Sequence, residues 1–287
     1  MGPELHPGAG RGSFPKPMNT YSSGSPGRGV QIPGAGDYRD EVDIELLGRR
    51  VRILELSREV STTMPVYPGH VGVAFWEHLT HEQVRRHRLP ADSPFRGYAV
   101  RGFVGSEHVS THVDAVWHFN PDRPDLTIDR LPWEHLITPG AWIDVSDVPP
   151  RAHITLDRVQ RALEAEQVEL RPGMTLLYYT GVGELWDEPF AFLSDFPGLD
   201  KEASEWLLDQ GLVNVATDAV STDTLADLGY PNHRTHAERL VVHTENVANI
   251  NRIPRHLGFD VGFFPLRLVG GTGSPCRAIA LWEPDEE

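Results

Sequence analysis

The sequence has one cysteine, Cys276, among its 287 residues, so the chain cannot form an internal disulfide bond. A lone thiol fits a reducing compartment, and we expect a cytoplasmic protein. Long apolar runs are also missing, since no stretch approaches the roughly 20 apolar residues of a membrane-spanning helix. The first residues lack the apolar segment of a secretory signal as well. We therefore expect a protein with no membrane partner.

Basic residues are scarce relative to acidic ones: 26 Lys and Arg stand against 41 Asp and Glu, which gives a net charge of −15. A nucleic-acid-binding surface needs clustered basic side chains that contact phosphates, so this balance argues against a nucleic-acid partner. The hydrophobic fraction, 39%, is ordinary for a soluble domain with a sizeable core. The partner that we expect is a small-molecule substrate.

Large apolar residues are few at the start of the chain, where Gly, Pro and Ser dominate. Such a segment cannot bury enough surface to offset the entropy that it would lose on ordering. We therefore predict a flexible arm over residues 1–40 and a single folded domain over residues 41–287. No internal repeat or second linker interrupts the predicted domain.

Short apolar runs that are rich in β-branched residues and bounded by Gly, Pro or Asp indicate strands. These runs cover residues 51–57, 98–104, 141–146, 175–180, 213–218, 239–247 and 277–282. Two segments are typical of helices: one opens at Thr155, a suitable N-cap, and the other runs from Asp200 to Gly211. Because each helix is followed by a strand, we predict an α/β fold with a mixed sheet and few helices.

The segment HVSTHVDAVWHF, residues 108–119, concentrates side chains that bind metal ions. His108, His112, Asp114 and His118 all occupy even positions, and residues two apart point to the same face of an extended chain. A helix would instead turn Asp114 away from His112 by about 200° at 3.6 residues per turn. The pattern therefore predicts a strand or loop that presents all four side chains to one cavity.

A lone histidine is usually a surface or hydrogen-bonding residue, but four potential ligands of one parity favour a metal site. One alternative is the facial triad of Fe(II) oxygenases, in which a His-x-Asp pair acts with a distant histidine. His112, Asp114 and His243 would form that triad, and Arg252 would bind a carboxylate cosubstrate. This alternative leaves the other histidines of the segment without a role.

The same segment resembles the signature of the metal-dependent cyclase and kynurenine formamidase family, His-x-Gly-Thr-His-x-Asp-x-Pro-x-His-Phe. Further segments similar to that family occur in the family's order: MPVYPGH (64–70), AWIDVS (141–146), YYTG (178–181), FPGLD (196–200), VNVATDAVSTD (213–223), HTENVANI (243–250) and FPLRLVGGTGSPCRAIA (264–280). The resemblance covers about residues 50–283. It implies a swivelling β/β/α domain whose sheet is mixed or barrel-like.

The resemblance also implies a divalent cofactor, Zn²⁺ or Mn²⁺, with one or two ions per chain. By position, His108, His112 and Asp114 correspond to the ligands of the first ion. His118 corresponds to the acid/base of the family.

In two-metal members of the family the aspartate bridges to a second ion, which a later histidine and a glutamate hold. Glu245 matches that glutamate, and His233 lies twelve residues before it, at the family's spacing. His236 is a nearby alternative to His233. His243 shares the parity of Glu245 but has no counterpart in the family.

The sequence departs from the family pattern around the substrate. Ser110 replaces the family's Gly, Val116 replaces its Pro, and Tyr67 stands where the formamidases carry Trp against the substrate ring. The predicted walls of the substrate cavity are aromatic: Tyr67, Phe75, Trp76 and Trp117. Because the wall is changed, we expect a relative of kynurenine formamidase that acts on another small substrate.

We therefore expect a metal-dependent hydrolase that cleaves a small amide, lactam or ester, with His118 as the acid/base. A cyclase or dehydratase that acts on a polyketide-like intermediate is the first alternative, and an Fe(II) oxygenase is the second. The resemblance further implies a homodimer or a larger homo-oligomer.

Overall fold

The computed structural model describes residues 38–285, and from Asp40 onward these residues form one compact unit. The arm predicted over residues 1–40 lies outside the described residues apart from residues 38–40. Within the described range, none of the helices has the length and apolar character required to span a lipid bilayer.

The described residues contain thirteen strands. They are β1 (Glu41–Leu46), β2 (Arg49–Glu55), β3 (Ala74–Leu79), β4 (Val100–Val104), β5 (His112–Asp114), β6 (Ile137–Asp144), β7 (His153–Ile154), β8 (Thr175–Tyr179), β9 (Gly198–Leu199), β10 (Asn214–Thr217), β11 (Val242–Glu245), β12 (Phe259–Pro265) and β13 (Gly273–Trp282). Strands β3 and β4 form a separate hairpin, and β7 pairs with β9.

The other nine strands form one sheet in the order β1-β2-β13-β12-β6-β8-β10-β11-β5, and β5 also pairs with β13. This additional pairing closes seven of the strands into a barrel, and β2 and β1 extend the sheet beyond β13. Strands β6, β8, β10 and β11 are parallel neighbours, whereas β5 lies antiparallel to both β11 and β13. The predicted fold class, an α/β domain with a mixed barrel-like sheet, is confirmed.

Seven α-helices connect or cover the strands within residues 38–285. They are α1 (His81–Arg88), α2 (Val116–Phe119), α3 (Trp133–Leu136), α4 (Leu156–Ala165), α5 (Pro189–Ser194), α6 (Lys201–Asp209) and α7 (Pro231–Arg239). Both helices predicted from the sequence are present. The side chains of Thr155 and Asp200 cap α4 and α6, because each accepts a hydrogen bond from a backbone N–H of the first turn.

The parallel strands are buried on both faces, as strands covered by helices must be. In β8, Leu177 packs into the barrel interior, while Leu176 and Tyr178 pack on the opposite face with residues of the covering helices, such as Leu163 of α4 and Leu207 of α6. The two apolar clusters fix the direction and register of the parallel strands, whose carboxyl ends lead into the loops described below.

The structure differs from the sequence prediction at residues 239–241, which were predicted to begin a strand and lie at the end of a helix and the turn after it. The predicted strand over residues 239–247 begins only at Val242, because α7 runs to Arg239 and Leu240 ends it with a left-handed backbone, φ 58°. Helix α7 has no apolar stripe, since only Asn232, Thr235 and His236 are buried on it, so no hydrophobic periodicity indicated it. Strand β5 has only three residues, and it lies within the segment 108–119 for which a strand or loop was predicted.

Gly198 of β9 packs closely against the backbone of the loop that follows β10. A Cβ atom at this position would lie 2.5 Å from the carbonyl carbon of Asp223 and closer still to the backbone nitrogen of Thr224. We expect Gly198→Ala to lower the free energy of unfolding by about 1–3 kcal/mol, because neither backbone atom can move without shifting the loop.

The matched control is Gly72→Ala, since a Cβ there has nothing within 4 Å. Chemical denaturation of the two variants and the unchanged protein measures the difference. Equal stability of both variants would contradict the steric argument.

Candidate metal centre

Two neighbouring strands bring four polar side chains to one end of the barrel. Strand β5 carries His112 and Asp114, and β11 carries His243 and Glu245. The register places His243 opposite Asp114 and Glu245 opposite His112. Directly opposed residues of antiparallel strands project to the same face, so these four side chains meet. Their side chains are at most 7% exposed.

The side chains border a cavity of about 340 Å³. All six residues predicted to bind metal or transfer protons lie in the lining of this cavity. They are His108, His112, Asp114, His118, His233 and Glu245.

The first group of donors surrounds one oxygen of Asp114. His108 Nδ1 lies 2.6 Å and His112 Nε2 lies 3.2 Å from Asp114 Oδ1. Donor atoms that share a Zn²⁺ ion at 2.0–2.2 Å lie roughly 3–3.5 Å apart. Small movements of these two imidazoles would therefore admit an ion between them and the carboxylate.

The second group adds side chains from β11 and α7 to the same aspartate. One ligand atom from each of Asp114, His233, His243 and Glu245 lies within 4.8 Å of all the others. Because Asp114 belongs to both groups, its two carboxylate oxygens can serve two neighbouring ions.

In three histidines of the cluster, the ring nitrogen that points away from the other donors makes a polar contact of its own. His112 Nδ1 donates to the Ser110 carbonyl at 2.9 Å, and His233 Nδ1 donates to Asp223 Oδ2 at 2.5 Å. His108 Nε2 lies 3.0 Å from the hydroxyl of Thr272, which donates to a Glu107 carboxylate at 2.6 Å. A histidine that binds a metal normally makes such a contact through its other nitrogen, which fixes the tautomer and the ring. The residues therefore fit a metal ion.

The charges of the cluster fit a cation. Burial opposes ionisation of Asp114, but His108, His118 and His112 outweigh it and hold the pKa of the carboxyl well below its usual range. Burial would lower the pKa of His243, yet hydrogen bonds to Asp114 and Glu245 raise it to about 10. The carboxylates thus hold protons on the buried imidazoles, and a divalent ion can replace those protons.

His118 lies beside the cluster on the short helix α2. Its Nε2 is 3.7 Å from Asp114 Oδ2, its ring centroid is 4.0 Å from that of His108, and its side chain is 29% exposed. Burial lowers the pKa of His118 to about 4 against the opposing effect of Asp114. The imidazole is therefore neutral near pH 7 and can accept a proton at Nε2.

The structure shows which part of the predicted strand or loop over residues 108–118 is extended. Only His112–Asp114 forms a strand, Ser110 has a left-handed backbone with φ 58°, and His118 lies in a helical turn. The shared parity of His108 and His118 with the strand residues is therefore not what brings them together. The bend at Ser110 turns His108 back towards Asp114, and the turn of α2 places His118 Nε2 3.7 Å from Asp114 Oδ2.

The structure separates His233 from its alternative. His236 is fully buried, it points its Nδ1 to the Val241 carbonyl at 2.9 Å, and it is not part of the cavity lining. The oxygenase alternative loses its cosubstrate residue, because Arg252 pairs with Asp40 at 3.3 Å and also lies outside the lining.

The predicted aromatic wall is found only in part. Tyr67 borders the cavity, whereas Phe75, Trp76 and Trp117 lie outside the lining. Phe75 packs beside Phe103 on the β3–β4 hairpin, and Trp76 on the same hairpin is 51% exposed. The sequence could not show that Phe75 and Trp76 lie away from the cavity, because their position depends on where the separate β3–β4 hairpin packs.

Several lining residues were not predicted. They include His70, Phe119, Ser221, Tyr230, Arg234 and Asn246. Tyr230 and Arg234 flank His233 at the start of α7, so recognising the helix would have indicated them. Arg234 is the one Lys or Arg side chain in the described lining.

The buried His/Asp/Glu cluster at the end of this closed barrel can hold divalent metal ions. The sequence model of the putative cyclase family matches residues 54–224, which is more than half of the chain. The chain therefore belongs to the putative cyclase family.

Characterised relatives have a similar sequence along most of their length. The chain is 30% identical over 212 residues to isatin hydrolase of Roseibium aggregatum, an alignment that covers 67% of this chain and 77% of that protein. It is 27% identical to kynurenine formamidase of Salinibacter ruber, covering 81% of this chain and 99% of the relative.

Solved structures have a similar fold. An isatin hydrolase bound to the product analogue thioisatinate superposes with a TM-score of 0.71 at 26% identity, over 82% of this chain and 93% of that one. Isatin hydrolase A of Ralstonia solanacearum gives a TM-score of 0.70 at 23% identity, over 81% and 92% of the two chains.

The contact between Asp223 and His233 generates a prediction. In Asp223→Asn, when the remaining oxygen keeps the Oδ1 position that accepts from the Asn232 backbone N–H, the amide NH₂ takes the place of Oδ2 and faces His233 Nδ1. The imidazole must then carry its proton on Nε2, the nitrogen that faces the cluster. We expect the affinity for the second ion to fall by about 10–100-fold.

Competition of the apoprotein with a chromophoric chelator for Zn²⁺ measures this affinity. Asp227→Asn is the matched control, because Asp227 lies in the same loop but pairs with His153 outside the cavity lining. Unchanged Zn²⁺ affinity in Asp223→Asn would rule out the positioning role.

Proposed function

We propose that the protein hydrolyses a small amide, lactam or ester with the help of a divalent metal ion. One observation carries this proposal: His108 and His112 share Asp114 with the second group of donors, and the neutral His118, whose donor atom lies within 4.8 Å of those of Asp114 and His108, borders the same cavity of about 340 Å³. The volume is near the lower end of the range for ligand pockets, which favours a small substrate.

The donors favour Zn²⁺ or Mn²⁺, with one or two ions per chain. They are imidazole nitrogens and carboxylate oxygens, which suit both metals. The thiol of Cys276 lies outside the cavity lining, and burial raises its pKa, so it supplies no thiolate there. A bound ion would polarise the substrate carbonyl and lower the pKa of a water molecule towards neutrality.

The residues of the chain supply the remaining chemistry. His118 accepts a proton from the attacking water at Nε2 and passes it to the leaving nitrogen or oxygen, a role worth about 10²–10⁴ in rate. Burial keeps its imidazole neutral before that transfer, and Asp114 at 3.7 Å stabilises the charge that the ring gains.

The substrate class follows from the relatives and from the changed wall. Isatin is a lactam, and kynurenine formamidases cleave a formamide, so both names describe hydrolysis at an amide carbon. Tyr67 at the cavity border, where the formamidases carry Trp, supports a substrate other than that of the formamidases. We therefore expect the enzyme to accept a different small acyl compound.

His118→Ala tests the proposal. The metal-loaded protein is assayed in ¹⁸O-labelled water with small amides, lactams and esters, beginning with isatin and N-formylkynurenine. We expect product that carries ¹⁸O from water, and a variant that keeps its metal but loses roughly 10²-fold or more in turnover.

Three results would contradict the proposal. Product without ¹⁸O would exclude hydrolysis and favour a dehydrating cyclase. Loss of metal from His118→Ala, with turnover restored by added metal, would make His118 a ligand. Wild-type turnover in the variant would remove His118 from the mechanism.

We also propose that the chain forms a homodimer or a larger assembly. The β3–β4 hairpin supports this, because it exposes large apolar side chains, with Trp76 51% and Phe103 64% exposed. Light scattering at micromolar concentration should return at least twice the 32.0 kDa of one chain. A mass of one chain would contradict the assembly.

A further inference from the structure

His243 is a buried histidine in the metal centre that the resemblance to the family gives no role. It lies on β11 two residues before Glu245, so both side chains project to the same face of the strand. Its side chain is 0% exposed. A fully buried imidazole needs partners for its polar atoms, and those partners show what it does.

The inner nitrogen of His243 faces the two carboxylates. His243 Nε2 lies 3.0 Å from Asp114 Oδ2 and 3.4 Å from Glu245 Oε1. With His233, these residues place one donor atom each within 4.8 Å of the others. The two separations of His243 Nε2, 3.0 and 3.4 Å, are those of donors around one tetrahedral ion, roughly 3–3.5 Å.

The ring of His243 is held in position by its neighbours. Phe119 stacks on it with ring centroids 5.1 Å apart and an interplanar angle of 17°. The rings of His233 and His236 meet it edge-on at 4.7 and 4.9 Å. These contacts leave the imidazole little freedom to turn away from the carboxylates.

The outer nitrogen of His243 is Nδ1. Like Nε2 of the neighbouring His236, it is buried and has no hydrogen-bond partner within residues 38–285. Because His236 Nδ1 donates to the Val241 carbonyl, its Nε2 carries a free lone pair. The His236 ring lies 4.9 Å from the His243 ring between centroids, and a proton on His243 Nδ1 leaves Nε2 free to bind a metal.

We propose that His243 is a fourth protein ligand of the second ion, beside Asp114, His233 and Glu245. The inference rests on the proposed metal-dependent function and adds to it a difference between the two ions. A Zn²⁺ ion with four protein donors is closed to water, whereas one with three donors keeps an open position.

The consequence is a division of roles between the ions. The group of His108, His112 and Asp114 keeps the open position, and His118 stands next to that group, with its ring 4.0 Å from the ring of His108. His233, His243 and Glu245 would hold the second ion as a structural link between Asp114 and the α7 end of the cavity. His108 and His112 would hold the ion that supplies the hydrolytic water beside His118.

The competing role for His243 is that of a hydrogen-bond donor that only orients Asp114. His243→Gln separates the two, because a glutamine amide N–H can still donate to Asp114 but replaces the imidazole donor. The probe is Zn²⁺ added to the apoprotein in competition with a chromophoric chelator. His233→Gln serves as the reference for a lost second-site ligand, and His256→Gln, beside Trp142 and outside the cavity lining, is the control.

We expect two Zn²⁺ ions in the unchanged protein and in His256→Gln. In His243→Gln and His233→Gln one of the two ions should be lost, or its affinity should fall by more than the 10–100-fold typical of a lost outer contact. Two ions at unchanged affinity in His243→Gln would overturn the proposal. One ion in the unchanged protein would overturn it too but leave the proposed hydrolase intact, whereas no ion would contradict the proposed function itself.

Cobalt spectroscopy on the unchanged protein does not depend on the folding of a variant. When both sites hold Co²⁺, at least one ion should give the intense visible absorption of a four-coordinate ion. The weak absorption of six-coordinate ions alone would overturn the proposal.

Discussion

The burial of the Asp114 carboxylate in the strand that closes the barrel is the constraint on which the rest of the structure depends. Asp114 is 1% exposed, and an uncompensated carboxylate at such a site costs several kcal/mol. Histidines from the bend before β5, from β5 itself, from α2 and from β11 surround it. The fold can close only if these side chains, or a cation, neutralise the charge.

Barrel closure and the metal centre are therefore one structural feature. Asp114 pairs in register with His243 of β11 and with Gly273 of β13, so the three residues of β5 join the two sides of the barrel. Gly273 has no side chain, and a Cβ there would lie 2.6 Å from the ring of His108. Ligand binding and strand pairing thus constrain the same few residues, which couples metal content to stability.

The sequence predicted those parts of the centre that depend on local geometry. The His112-x-Asp114 spacing favoured a strand or loop over a helix, and the structure has a strand; the caps at Thr155 and Asp200 were equally local. The positions of His108 and His118 were anticipated for the wrong reason, since a positive φ at Ser110 and a helical turn bring them in.

The other parts of the fold and of the metal centre depend on tertiary packing, which no local sequence pattern could predict. Helix α7 is polar, so its recognition needed the fold that buries Thr235 and His236 against the barrel. The membership of His243 in the cluster follows from the register between β11 and β5, which the sequence does not encode locally. The aromatic wall depended on where the β3–β4 hairpin lies, and only Tyr67 of the predicted residues borders the cavity.

The metal content of Asp114→Ala tests most directly the claim that this carboxylate joins both ions. Elemental analysis of the purified variant is compared with Glu245→Gln, which removes a carboxylate from the second group only. We predict that Asp114→Ala loses both ions while Glu245→Gln loses one, with circular dichroism confirming that each variant is folded. Full metal occupancy in a folded Asp114→Ala would contradict the account.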